Sequence, residues 1–240
     1  MSSSLSRRKF LETAGTVAAS GAALTAATAP AAEAAANKAV KIIGISCSPR
    51  KGKTTAAAVQ ACLDAARTIA PNIEVELIEL AGLKLPGQVV VGLPLEPGER
   101  DDFPPIAAKL ADPAVAGIIF GTPVYFGNMS YLCKTLIDRF IVFSKEKKLA
   151  NKVAGVLACG GARNGGLELT IRSVQVSLMS LQMIVVGDAP PTSHWGGTVW
   201  AGNPAAAAGP TPDITRDDGI ATVRNLGRRV AEMALRLAKP

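Results

Sequence analysis

Five short apolar runs, Val40–Ser46, Ile73–Leu80, Val115–Thr122, Lys152–Cys159 and Met183–Gly187, alternate along the chain with segments whose apolar residues recur at helical spacing. The helical segments are Thr55–Ala70, Ile106–Ala111, Ser130–Ser144, Leu167–Gln182 and a last one starting near Thr215. This alternation leaves few folds open. Strands joined through helices run parallel, and right-handed crossovers place the helices on both faces of the sheet. The expected architecture is α/β: a doubly wound five-stranded parallel sheet in the order 2-1-3-4-5, with ligands beyond the carboxyl ends of the strands. Two Gly- and Pro-rich stretches, 81–105 and 188–212, interrupt the pattern, and loops of that length are usually functional or interface-forming.

Three glycine-bearing loops follow the first, third and fourth runs. The first, Ser46-Cys-Ser-Pro-Arg-Lys-Gly-Lys-Thr-Thr55, offers hydroxyls, backbone amides at a helix start and Arg50, the chemistry of a dianion site. The second, Gly121-Thr-Pro-Val-Tyr-Phe-Gly-Asn128, makes a turn whose free backbone groups can bond the edge of a planar heterocycle. In the third, Cys159-Gly-Gly-Ala-Arg-Asn-Gly-Gly166, four glycines let the backbone lie close to a flat ligand.

The first loop also resembles an ATP-binding P-loop, and a P-loop nucleotide-binding protein is the competing account. That motif needs glycine where Cys47 stands, because the backbone there wraps the phosphates. It also needs a strand-end carboxylate for Mg²⁺, whereas the third and fourth runs end in Gly121-Thr122 and Cys159-Gly160.

The segments Ser46-Cys-Ser-Pro-Arg-Lys-Gly, Gly121-Thr-Pro-Val-Tyr-Phe-Gly-Asn-Met-Ser130, Leu136-Ile-Asp-Arg139, Arg163-Asn-Gly-Gly-Leu-Glu168 and Met183-Ile-Val-Val-Gly187 carry a resemblance. From about Lys41 onward the chain is similar to the flavodoxin-like NAD(P)H-dependent FMN reductases and the WrbA-type quinone reductases. The resemblance implies FMN as cofactor and NAD(P)H as possible reductant. Ser46, Ser48, Arg50, Thr54 and Thr55 would bind the FMN phosphate. Pro123, Val124, Tyr125, Phe126, Gly127 and Asn128 would hold the isoalloxazine, and Gly160, Gly161, Arg163, Asn164 and Gly165 would close over its far side. It also implies a homodimer or homotetramer. The activity expected is two-electron transfer from NAD(P)H or another donor to a quinone, flavin or similar acceptor, with an electron carrier lacking small-molecule turnover as the alternative. Some relatives bind an iron–sulfur centre through cysteines between strands two and three. The interval Ala81–Asp112 has no Cys, which rules that cluster out here. The WrbA-like enzymes carry a His pair where this chain has Ser180-Leu181-Gln182, so His194, the only histidine, is the candidate substrate contact.

Arg7 and Arg8 precede an Ala-, Val- and Thr-rich segment running to Ala29, the layout of a twin-arginine export signal. Cleavage near Ala36 would leave a single domain over 37–240 in the periplasm. The segment is too diluted by Thr, Ser, Gly and Glu12 for a membrane span. The formal charge is +7, yet no polybasic run or aromatic-studded basic stripe points to nucleic acid. Cys47, Cys62, Cys133 and Cys159 lack C-x-x-C spacing, so no metal site is expected. Cys47 and Cys159 end strands separated by one other, roughly 10 Å apart, which is beyond disulfide reach. Asp138 and Arg139 read as an ion pair on one helix.

Overall fold

The computed structural model describes residues 39–200 and 213–238. The Arg7-Arg8 segment, its cleavage zone and most of the Ala/Gly/Pro stretch after Trp200 lie outside those residues.

The strands β1 (Val40–Ser46), β2 (Ile73–Glu79), β3 (Val115–Tyr125), β5 (Val153–Gly160) and β6 (Ile184–Val186) form a parallel sheet in the order β2-β1-β3-β5-β6. This is the expected arrangement. β1, β3 and β5 hold the centre, and every residue of β5 is buried, as a strand covered on both faces requires. One face is covered by α2 (Phe103–Ala111), α3 (Tyr131–Arg139) and α4 (Leu167–Ser180), whose Ile106, Leu136 and Ile171 pack on Ile118, Phe120 and Val156. The other is covered by α1 (Thr54–Arg67) and α5 (Ile220–Leu237), whose Val59, Leu63, Val223 and Val230 pack on Ile42, Ile119 and Leu157. α1 lies directly on the strand backbone: a Cβ on Gly44 or Gly121 would stand 2.4 or 2.3 Å from Val59. That close seat brings the start of α1 up beside the ends of β1 and β3.

The fifth strand differs from the expectation. The chain leaves the sheet after Val186 and returns as β7 (Gly197–Trp200), which pairs with Leu157–Gly160, so part of the expected 188–212 loop is strand. The interruption has a local cause. Pro190 and Pro191 have no N–H for the ladder, and the Asp188 carboxylate draws the insert around itself, accepting from the Thr192 hydroxyl and the His194 amide.

Several boundaries also move. α2 begins earlier than expected, with Pro104 and Pro105 in its first turn, where a missing N–H costs nothing. α5 begins at Ile220 rather than near Thr215, because the Asp217 carboxylate holds the Gly219 amide (2.7 Å) in a turn before it. Asp138 and Arg139 do not pair with each other. Asp138 pairs with Lys134 one turn earlier (2.6 Å). Arg139 turns inward to grip the 81–105 segment: its Nη1 donates to Pro86 O (2.9 Å) and Asp101 Oδ1 (3.1 Å), and its Nη2 to Asp101 Oδ2 (2.7 Å).

Candidate cofactor and active site

Adjacent strands in the order β1-β3-β5 place the three glycine-bearing loops side by side at one edge, with Ser46 paired to Gly121 and Pro123 to Cys159. Ser46, Ser48, Thr54 and Thr55 are buried in the first loop, and Arg50 is half-buried. The Ser46 hydroxyl is buried without a hydrogen-bond partner. Above it, α1 starts with no side-chain cap and no acidic residue in its first turn. Unpaired amides and the positive end of the helix dipole favour an anion at such a start. The loop itself is pinned: Ser48 Oγ accepts from Arg50 N (3.1 Å), and Gly52 N donates to Glu79 Oε2 (2.8 Å) at the end of β2.

The second loop is a hairpin. β3 runs on to Tyr125 and pairs antiparallel with the two-residue β4 (Asn128–Met129), leaving Phe126 and Gly127 as the turn, with φ of 50° and 74°. Positive φ at both turn residues matches the twist of the strands, and it throws the Phe126 side chain fully into solvent beside a 42% exposed Tyr125. Pro123 is buried and Val124 half-buried. Asn128 Oδ1 accepts from Ser173 Oγ on α4 (3.0 Å). Two residues absent from the expected set hold this loop. Ser130 caps α3, and its amide donates to Thr122 Oγ1 (3.0 Å). The signal for Ser130 was its type, a hydroxyl residue just before a helical run.

In the third loop, Gly166 stands before α4 with φ of 92°, and a Cβ there would meet Gly127 Cα at 3.0 Å. The second and third loops therefore touch backbone to backbone. Gly160 is buried, while Gly161, Asn164 and Gly165 are exposed. Arg163 is already engaged, 3.4 Å from the buried Asp217 carboxylate and 5.0 Å from the Trp200 ring centroid. Trp200 Nε1 in turn donates to Gly161 O (2.9 Å), making it a wall of the third loop that the sequence did not assign.

His194 is not brought to these loops. It lies in the β6–β7 insert, 3.6 Å from Asp188. The following Gly196 packs against the Val156 carbonyl, four residues below Gly160, or about 13 Å along the strand.

The chain matches the family model for NADPH-dependent FMN reductase over residues 40–197. It is 39% identical over 205 residues to an iron-sulfur flavoprotein of Methanocaldococcus jannaschii, covering 83% of this chain and all of that protein. It is 31% identical over 179 residues to an NAD(P)H dehydrogenase (quinone) of Archaeoglobus fulgidus, covering 72% of this chain and 82% of that one. Among solved structures, a flavodoxin, WrbA-like protein from Agrobacterium tumefaciens superposes with a TM-score of 0.55 at 17% identity, covering 82% of this chain and 97% of that one.

A cysteine-ligated iron–sulfur cluster does not fit these residues. Such a cluster takes four thiolates, and the chain's four cysteines are all buried and divided between the two faces of the sheet, Cys47 and Cys133 on one, Cys62 and Cys159 on the other. A hydrogen bond to Cys133 and burial push the Cys47 thiol well up, and burial raises Cys62 and takes Cys159 to about 12. Protonated thiols are neither metal ligands nor nucleophiles. A flavin mononucleotide does fit: the orphaned Ser46 hydroxyl and uncapped α1 suit a phosphate monoester, and the Gly127–Gly166 contact leaves bare backbone for a flat ring. On the match across most of its length, the chain belongs to the NADPH-dependent FMN reductase family.

Proposed function

We propose that the three loops hold FMN and that the chain is a two-electron oxidoreductase, passing a hydride from NAD(P)H or another donor to a quinone, flavin or similar acceptor. The carrying observation is the buried, unpartnered Ser46 hydroxyl under an uncapped helix start, at the junction of three adjacent strand ends. When bound, FMN supplies hydride acceptance and donation at its N5. The chain's residues orient it. Ser46, Ser48, Thr54, Thr55 and the α1 amides take the phosphate, with Arg50 at the rim. Pro123 to Asn128 border the ring on one side, and the Gly160–Gly165 backbone borders it on the other. Arg163, held by Asp217 and Trp200, fixes the third loop rather than reaching freely for the ring.

The purified protein is expected to carry the visible absorption of FMN and to oxidise NAD(P)H with a quinone as acceptor. Bound flavin without turnover would make it an electron carrier, and absence of flavin would end both readings. Leu169, Val176 and Met179 are exposed along α4, with Leu169 at the end that meets Gly127, and support self-association as a homodimer or homotetramer. Light scattering of the same preparation would overturn that part by finding a monomer. Among the described residues no helix is long and apolar enough to cross a membrane.

The Arg7-Arg8 pair supports export through the twin-arginine route, with the folded 37–240 domain delivered to the periplasm. Replacing both by lysine is expected to leave the protein in the cytoplasmic fraction. Unchanged export would refute the assignment.

A further inference from the structure

The phosphate side and the ring side of the site are joined by a buried relay. The Ser130 hydroxyl donates to Cys47 O (2.6 Å) and accepts from Cys133 N (3.2 Å). The Ser130 amide donates to Thr122 Oγ1 (3.0 Å), and the Thr122 hydroxyl donates to Pro123 O (3.0 Å). Cys47 is held from its other side as well, its amide donating to Gly121 O (2.8 Å). Ser130 and Thr122 are both fully buried. The first loop, the end of β3 and the start of α3 are thus tied through two hydroxyls, with each hydroxyl both donating and accepting.

A trans peptide sets its C=O and the following N–H on opposite sides. Fixing Cys47 O on Ser130 therefore fixes the Ser48 amide to face away from α3. On the other arm, fixing Pro123 O on Thr122 sets the backbone that leads into the Tyr125–Asn128 hairpin. One relay consequently sets the direction of a first-loop donor and the entry of the ring-side loop.

We propose that Ser130 and Thr122 are positioning residues that hold the phosphate loop and the ring loop in mutual register, so that the two ends of FMN bind cooperatively. The inference rests on the FMN reading above. It predicts that the relay governs the advantage of FMN over riboflavin, which has the same ring and no phosphate, more than it governs affinity for the ring.

Calorimetric titration of the full chain with FMN and with riboflavin tests it, using wild type, Ser130→Ala, Thr122→Val and Thr122→Ser. In Ser130→Ala and Thr122→Val the riboflavin-to-FMN ratio of Kd values is expected to fall by about tenfold, the loss of one well-aimed hydrogen bond to a dianion. Riboflavin affinity should change far less, and Thr122→Ser, which keeps the hydroxyl, should retain the wild-type ratio. A purely structural role would weaken both ligands in step, and that result, or an unchanged ratio in both variants, overturns the proposal. Should Ser130→Ala fail to fold, the Thr122→Val and Thr122→Ser pair decides alone. Wild type binding neither flavin overturns the FMN reading and the relay with it. Wild type preferring FMN while the variants do the same overturns the relay only.

Discussion

Arg139→Met is expected to cost about 3 kcal/mol of unfolding free energy, the low end of the range for breaking one side of a buried ion pair, because one partner is only half-buried. Arg139 is buried and Asp101 half-buried, their side chains 6% and 14% exposed. Methionine keeps much of the aliphatic bulk, and with it part of the packing against the Phe103 ring, over which the guanidinium sits at 4.5 Å. What it removes are two bonds to the Asp101 carboxylate and one to Pro86 O, leaving a charge and a carbonyl in a poorly solvated place. Replacing Asp101 by leucine in the same chain should recover part of the loss, since no carboxylate is then stranded. Urea unfolding at neutral pH measures both, and a loss below about 1 kcal/mol would show that the carboxylate simply turns out to water.

The same pair fixes the sign of an acid effect. Burial acts to raise the Asp101 carboxyl, but the hydrogen bonds from Arg139 and the Phe103 amide, with the arginine charge, outweigh it and hold it below its ordinary 3.8. The unfolded chain therefore binds this proton at higher pH than the folded one. The pair's contribution is complete above about pH 4 and is lost as pH falls through the folded value. In Arg139→Met only the Phe103 amide still opposes burial, so acid weakens the variant less than it weakens wild type, and the gap between them narrows as pH falls.

Gly227→Ala is expected to destabilise the protein by about 2 kcal/mol or more, even though alanine is the better helix former by about 1 kcal/mol. Gly227 sits where α5 crosses α1, and a Cβ there would stand 2.0 Å from the Cys62 carbonyl oxygen and 2.8 Å from its carbon. The obstructing atoms are backbone, so no rotamer change relieves them. The helices must separate, loosening Val59, Leu63, Val223 and Val230, all fully buried. Overpacking of this kind costs about 1–3 kcal/mol in most cores and more where nothing can yield. Arg224→Ala, on the exposed side of the same helix, should stay within about 0.5 kcal/mol. Thermal melts separate the two, and a Gly227→Ala variant as stable as wild type would mean that the helices are not in contact there. Because α1 carries the phosphate end of the candidate site, weaker FMN binding is expected to accompany the loss.

The sheet order was legible because β1, β3 and β5 are buried on both faces and must read as unbroken apolar runs between helical stretches. The three loops were legible for the same reason, since glycines closing central strands in a parallel sheet have to converge. β7 was not. Gly197-Thr-Val-Trp is short, begins with glycine and follows two prolines, and it becomes a strand only because β6 ends at Val186 and leaves the side of Leu157–Gly160 away from β3 open. The hairpin at Phe126-Gly127 was hidden because that turn favours Asn or Asp at its first position. Arg139 lies in the last turn of α3, where arginine ordinarily meets water and the helix dipole. Its inward turn depends on Asp101, thirty-eight residues away.

The interrupted fifth strand also bears on how the protein behaves in concentrated solution. An open sheet has two margins, and a long bare margin is a template onto which another chain can add. Here one margin is cut into runs of three and four residues by the Asp188–Gly196 insert. The other, β2, carries Glu74, Glu76 and Glu79, with Glu76 bridged to Lys41 and Lys109. Neither margin offers a flat, uncharged length for strand addition, so growth of intermolecular sheet is blocked by interruption on one side and by charge on the other.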